Sequence, residues 1–168
     1  MISLGIDVGK SGALAVVDDE GKVIRLAPVP MVGKEYDVPG LLVLIRETLL
    51  RDVEWKEVHV FYEALHAMPA KMGGGKTNFS RGYGLGMLET MIAALRLTST
   101  PVRAQKWQKT MFEGQLVGKG ETKAAAERTA RRLWPDQLWK VEESKSKKPH
   151  DGMIDAALIA EWGRRNFR

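Results

Sequence analysis

Asp7, Glu63, Asp151 and Asp155 are the residues of this 168-residue chain whose types and settings offer the most chemistry. Asp7 closes an apolar run (ISLGIDV) and is followed by Gly9 and Gly12. An Asp there either holds its own backbone in an Asx turn or presents its carboxylate at the end of a sheet. Glu63 ends a second apolar run (EVHVFYE), where Glu is disfavoured unless it is the first loop residue or is aimed at the sheet end. Asp151 and Asp155 are four apart in HDGMIDAA. On a helix that spacing puts them on one face, about 5–6 Å apart at Cβ. Asp151 also suits a helix N-cap. Asp155 lies among Ile154, Ala156, Ala157 and Leu158, on a face that should pack on a sheet.

Carboxylates gathered from two strand ends and one helix are hard oxygen ligands suited to Mg²⁺. Two such ions can clamp the attacking and leaving oxygens of a phosphoryl displacement. The rest of the chain offers no competing kit. It has no Cys, which excludes disulfides, thiolate zinc sites and a Cys nucleophile, and no Ser in a nucleophile-elbow motif. Of the three His, His59 sits inside a strand pattern, and His150 adjoins Asp151 as a fallback ligand or proton carrier.

The basic residues point to a polyanion. Net charge is +5 and the pI about 9.5, with the excess concentrated in segments. The stretch 64–82 carries Lys71, Lys76 and Arg81 without an acid, and Arg103–Arg132 holds eight Lys and Arg against three Glu. Regional excess of this kind suits nucleic-acid phosphates. Lys106, Lys109, Lys119 and Lys123 are candidates for phosphate contact, or form a solvated helix face. Phe79 can stack on an unpaired base or pack on the following helix. Trp107, Trp134, Trp139 and Trp162 read as core or rim residues and not as platforms for bases.

These residues need elements to position them. Residues 2–8, 12–18 and 22–29 read as three strands, the last two joined by an Asp-Asp-Glu-Gly turn. Asp37 caps a helix running to Arg51, and residues 57–63 form a buried strand. Ala64–Gly82, with Pro and three consecutive Gly, reads as a mobile loop. The pattern predicts a helix over 83–97, a strand over 101–104, short helical structure near 106–111, a helix over 121–134 stopped by Pro135, and a last helix over 151–166. The order predicts a mixed central sheet flanked by helices in one domain, residues 1–168. No apolar run is long enough to span a bilayer, and the N-terminus has no secretory pattern, so a cytoplasmic protein is expected.

With these residues in hand, the chain resembles RuvC-type Holliday junction resolvases, especially a phage-like branch. The resemblance is carried by GIDVGKSGALAVV (5–17), FYEALHAMP (61–69), NFSRGYGLG (78–86), TPVRAQKWQKTMF (100–112), GKGETKAAAERTARRLWP (118–135) and PHDGMIDAALIAEW (149–162). It implies a ribonuclease H-like α/β fold, with a mixed five-stranded sheet of three antiparallel and then two parallel strands. It implies a homodimer that nicks four-way DNA junctions symmetrically in a bacterial or phage-infected cell. The implied cofactor is Mg²⁺, or Mn²⁺ in its place, as two ions per site, with no nucleotide cofactor and no membrane partner. Acidic roles fall on Asp7, Glu63 and Asp155. Lys123 matches a lysine near the metal site, and one of Lys106 and Lys109 matches another basic position. The family's Asp or His three residues before the last Asp is Gly152 here, and Asp151 is the natural substitute. DNA contact is expected from Lys71, Lys76, Phe79, Arg81, Lys106, Lys109 and Lys119. Alternatives are a broader branched-DNA nuclease, a non-catalytic junction-binding protein, an actin-like ATPase or a ribonuclease H acting on hybrids.

Overall fold

The computed structural model describes residues 1–65, 74–141 and 148–167. Strands β1 (Ile2–Asp7), β2 (Ala13–Val17) and β3 (Val23–Pro28) form an antiparallel meander. The turn between β2 and β3 is held by Asp18, whose Oδ1 accepts from Glu20 N at 3.1 Å and Lys22 N at 2.8 Å. Gly21 takes φ +89°, a conformation that favours glycine. A two-stranded hairpin, β4 (Met31–Val32) and β5 (Glu35–Tyr36), follows and is not foreseen from the sequence. Asp37 caps α1 (Val38–Val43) by accepting from Gly40 N at 2.9 Å, as expected, and the helix continues as a π-helical segment, Leu44–Leu49.

β6 (Val58–Glu63) and β7 (Thr98–Val102) complete a five-stranded sheet in the order β3-β2-β1-β6-β7. β6 runs parallel to β1, and β7 parallel to β6. This is the three-antiparallel, two-parallel sheet of the ribonuclease H-like arrangement. β7 begins three residues earlier than the sequence suggests, because pairing of His59 with Thr98 extends it. Pro101 is accommodated because β7 is an edge strand.

Helix α2 (Gly74–Ala94) starts well before residue 83, so most of the described part of the expected loop is helical. Gly75, Gly82, Gly84 and Gly86 lower its intrinsic propensity. Packing of Leu88, Met91 and Ile92 into the core offsets that weakness. Helices α3 (Ala104–Met111), α4 (Thr122–Leu133) and α5 (Asp151–Asn166) follow. Among the described residues, no helix is long and apolar enough to cross a membrane.

Alternation along the strands divides the core. Leu4, Ile6, Leu14, Val16, Val58, Val60 and Tyr62 face α1 and α2. Ala13, Ala15, Val17 and Phe61 face α3, α4 and α5. Trp107, Trp134, Trp139 and Trp162 are all buried on this second face. Gly5 and Gly163 let α5 lie directly on the sheet. A Cβ on Gly5 would stand 2.1 Å from the Ala156 carbonyl oxygen, and one on Gly163 would stand 2.1 Å from the Phe61 ring. Helix α5 is therefore held at a set height above β1 and β6, which decides where its acidic first turns fall.

Candidate active site

Asp7 ends β1 and Glu63 ends β6. The two strands are parallel neighbours with Ile6 opposite Tyr62, so the two acids emerge at one level at the C-terminal ends of two interior strands. Two residues before each acid stand Gly5 and Phe61, which face α5, and alternation directs Asp7 and Glu63 to the same side. The N-terminal turns of α5 sit above these strand ends. Asp155, the fifth residue of α5, is only partly buried while its neighbours Ile154 and Ala156 are fully buried.

The electrostatics agree with this convergence. The Asp7 carboxyl is pushed up to about 7, by burial first and then by the charges of Asp155 and Glu63. Arg81 opposes the shift, and Asp151 adds a small rise. Asp155 is likewise pushed up to about 7, by burial first, then by Glu63 and Asp151, with Lys123 opposing. The protein thus holds two half-buried carboxyls in mutual repulsion.

Asp151 is set apart from this pair. It is exposed and is the first residue of α5, not its cap. The cap is His150, whose Nδ1 accepts from Met153 N at 3.2 Å. Asp151 Oδ2 accepts instead from Lys123 Nζ at 2.6 Å. That bond holds the Lys123 ammonium above its ordinary pKa. Helical spacing thus puts Asp151 at the same end of α5 as Asp155, and a lysine on α4 neutralises it there.

Gly152 accounts for the departure from the family pattern. A Cβ at this position would stand 2.5 Å from the Ser11 carbonyl oxygen and 2.9 Å from Gly12 Cα. The β1–β2 turn closes directly on α5 and leaves no room for a side chain. That turn is itself tight, with Gly12 N donating to Gly9 O at 3.0 Å.

The chemistry of the acidic set suits a hard divalent cation. All four candidate ligands are carboxylates, and a cation between Asp7 and Asp155 would relieve the repulsion and the burial penalty that raise their pKa values. Among the described residues, no group of three or more His, Cys, Asp or Glu side chains already stands so that it could hold a metal ion. The carboxylates sense one another electrostatically without having closed into a coordination shell, and Asp151 is occupied by Lys123.

The remaining expected site residues separate into groups. Arg81, half-buried on α2, acts on Asp7. Phe79 is 77% exposed on the same helix and does not pack into the core. Lys71 lies outside the described residues, and Lys76 is described only as part of the α2 backbone. Lys106 places its Nζ 5.4 Å from the centre of the Trp162 ring. Trp162 is seven residues beyond Asp155, roughly 10 Å further along α5. Lys106 is therefore turned away from the acids, while Lys109 and Lys119 are exposed without such a contact.

Sequence reasoning missed Lys10, Ser11 and Tyr36. With Gly9, Thr77, Ser80 and Arg81 they line a cleft beside Asp7. Burial raises the Tyr36 pKa, and the charge of Asp7 adds to the rise. Only the unforeseen β4–β5 hairpin brings Tyr36 there, so no local signal marks it.

Comparison with known proteins agrees with the architecture. No protein-family model matches the chain. No curated protein matches it at a significant level. Solved structures do. The chain is similar to Thermus thermophilus RuvC in complex with Holliday junction substrate, with a TM-score of 0.65 and 16% identity, over 98% of this chain and 96% of that one. It is also similar to a Thermus thermophilus RuvC structure, with a TM-score of 0.64 and 17% identity, over the same shares. The fold is ribonuclease H-like. At this identity the likeness establishes the fold alone.

Proposed function

We propose that this protein is a divalent-metal-dependent endonuclease that resolves four-way DNA junctions by paired nicking. What supports the reading is the electrostatic coupling of Asp7, Glu63 and Asp155 at the ends of β1 and β6 and on α5, with Asp7 and Asp155 pushed up to about 7 by burial and by neighbouring acids. Such a cluster is costly unless a cation or a proton neutralises it. The likeness of the whole chain to a RuvC bound to Holliday junction substrate supports DNA junctions as the substrate class.

Asp7, Glu63 and Asp155 would hold two Mg²⁺ or Mn²⁺ ions, and Asp151 would complete the set on giving up its bond with Lys123. When bound, the ions supply Lewis-acid activation of water and charge compensation at the departing 3′ oxygen. The chain's own groups do the rest. Lys123, once free of Asp151, offers its ammonium to charge developing on the phosphate. Arg81 steadies Asp7 in its ionised form. Exposed Lys109 and Lys119 contact neighbouring phosphates, and Phe79 offers a face to an unpaired base.

Paired nicking needs two sites, and the surface of α2 supports a homodimer. Gly82, Tyr83, Gly86 and Thr90 are exposed along it, and with Val38, Met87 and Met91 they line a shallow groove. A Cβ on Gly82 or Gly86 would meet nothing within 4 Å, so this face is open to close approach by a second helix. A second copy of α2 is the occupant we assign.

The test is cleavage of a mobile four-way junction, a Y-fork, a duplex and an RNA–DNA hybrid, each with Mg²⁺, with Mn²⁺ and with chelator. Metal-dependent paired nicks in the junction are expected, lost in Asp7→Asn and Asp155→Asn with binding kept. Cleavage that survives either substitution in pure protein would overturn the assignment.

A further inference from the structure

We infer that the cleft beside Asp7, lined by Lys10, Ser11, Tyr36, Thr77, Ser80 and Arg81, is a subsite for one non-scissile phosphate of the strand being cut. The inference rests on the nuclease reading above and deepens it. The cleft joins three separate parts of the chain: the β1–β2 turn, the end of the β4–β5 hairpin and the early turns of α2. Every side chain lining it carries a hydrogen-bond donor, and none carries a carboxylate. That composition selects an anion whose oxygens accept from hydroxyls, an ammonium and a guanidinium together, which describes a phosphodiester.

Its cations are positioned and not merely nearby. Lys10 donates to the Lys34 carbonyl, pairs with Glu35 Oε2 at 3.3 Å and stands 5.7 Å from the Tyr36 ring centre. The hairpin thus fixes the ammonium at the cleft wall. Tyr36 in turn packs against α2, with its hydroxyl 2.5 Å from where a Cβ on Gly84 would be, so glycine there lets the hairpin seat. Arg81 faces both ways, lining the cleft and acting on Asp7. A phosphate held in the cleft would therefore be registered against the acidic residues through a single side chain. Arg81 is a positioning residue in this scheme: it sets where the strand lies relative to Asp7, and a neighbouring phosphate presents itself for cutting.

The experiment combines charge removal on DNA with charge removal on the protein. Junctions are made with one methylphosphonate at each non-scissile phosphate within three nucleotides of the cut, and kcat/KM is measured for the full chain with Mg²⁺. At one position the neutral linkage should lower wild-type kcat/KM about tenfold. Arg81→Ala should lose about as much on unmodified DNA and lose no more than twofold further at that position. Arg81→Lys should recover part of the loss. Multiplicative losses at every position, or wild-type rates in Arg81→Ala, would overturn the subsite. If the wild-type protein cuts no branched DNA, the nuclease reading fails on its own. The cleft is then judged by anisotropy of a labelled dT oligonucleotide, where Arg81→Ala and Ser80→Ala should each weaken binding several-fold and Lys140→Ala should not. Equal affinities across these variants would sink it.

Discussion

Lys123 Nζ donates to Asp151 Oδ2 at 2.6 Å, and this bond divides the acidic residues into a buried set and a neutralised one. Both partners are mostly exposed, with side chains 79% and 53% accessible, so the pair is worth little to stability, about 1 kcal/mol at most. Its consequence is for binding. Lys123→Met removes the competitor for Asp151 and a positive charge from beside the cluster. Calorimetry should show Mn²⁺ binding tighter by roughly threefold to tenfold, in line with a pair of that strength. Junction cleavage should fall about 10²-fold, the scale of one lost transition-state donor. Weaker metal binding in Lys123→Met would mean that the lysine supports the ligand set and does not compete with it.

Gly152 gives a second prediction. Introducing an acid or imidazole with Gly152→Asp or Gly152→His should not improve metal binding. The new Cβ meets the Ser11 carbonyl, and either the β1–β2 turn or α5 has to shift. We expect a loss of about 2 kcal/mol or more in urea unfolding, as for overpacked cores, with reduced cleavage. Gly152→Ala, which adds the Cβ alone, should show most of the stability loss. A stable, more active Gly152→Asp protein would refute the steric account.

The pH dependence has a definite sign. Asp7 and Asp155 have folded-state pKa values raised from 3.8 to about 7, so the folded protein binds more protons than the unfolded chain between these values. Metal-free stability should fall as pH rises from about 4 to 7 and then level off, with the full penalty present above pH 7. Asp7→Asn removes a repelling charge and should raise the melting temperature at pH 8 in chelator by several degrees, about 2 kcal/mol allowing for coupling between the acids. That gain should vanish near pH 4. Adding Mg²⁺ at pH 8 should stabilise the wild type and leave Asp7→Asn nearly unmoved. A wild-type curve that rises through this window would contradict the buried-acid geometry.

Glu161 supplies a control remote from the acids. It is 3% exposed, accepts from Arg164 Nε at 2.6 Å and Nη2 at 2.9 Å, and accepts from Arg165 Nε at 2.7 Å. Arg164 also donates to the Asp19 carbonyl at 3.1 Å, so this cluster ties the end of α5 to the β2–β3 turn. Glu161→Ala should cost about 3 kcal/mol, the low end for a broken buried pair because Arg165 can turn to solvent. Cleavage per folded molecule at low temperature should be unchanged. A tenfold loss of specific activity would show that the α5 register reaches Asp155 more directly than its packing suggests.

The proposed dimer is checked by size. Gly86→Trp places a large side chain where α2 is open to solvent, so folding should survive while light scattering shifts the protein toward monomer. Paired nicking should then decline in favour of single nicks. An unchanged mass would exclude this face.

Much of the fold is legible in the sequence. The strands β1, β2, β3 and β6 are short apolar runs separated by turn or polar residues, and α4 and α5 have helical spacing with stops at Pro135 and the charged end. Local chemistry suffices for such segments, and α5 falls on the residues expected. Helix α2 falls where expected from residue 83 on, but its start at Gly74 is not legible, because the glycines there argue against a helix. The start of β7 is not legible because it depends on pairing with β6, where Thr98 meets His59, 39 residues earlier in the chain.

The division is the same at the site. Which carboxylates are available is legible in the chain alone, since Asp7 and Glu63 end apolar strands and Asp151 and Asp155 share a helical face. The sequence cannot rank them, because ranking depends on what else reaches each one. Only the folded chain shows that Lys123 neutralises Asp151, that the β1–β2 turn forbids a side chain at Gly152, and that Tyr36 stands beside Asp7. Periodicity acts within one element, whereas electrostatic partners and steric limits come from elements far apart in sequence and close in space.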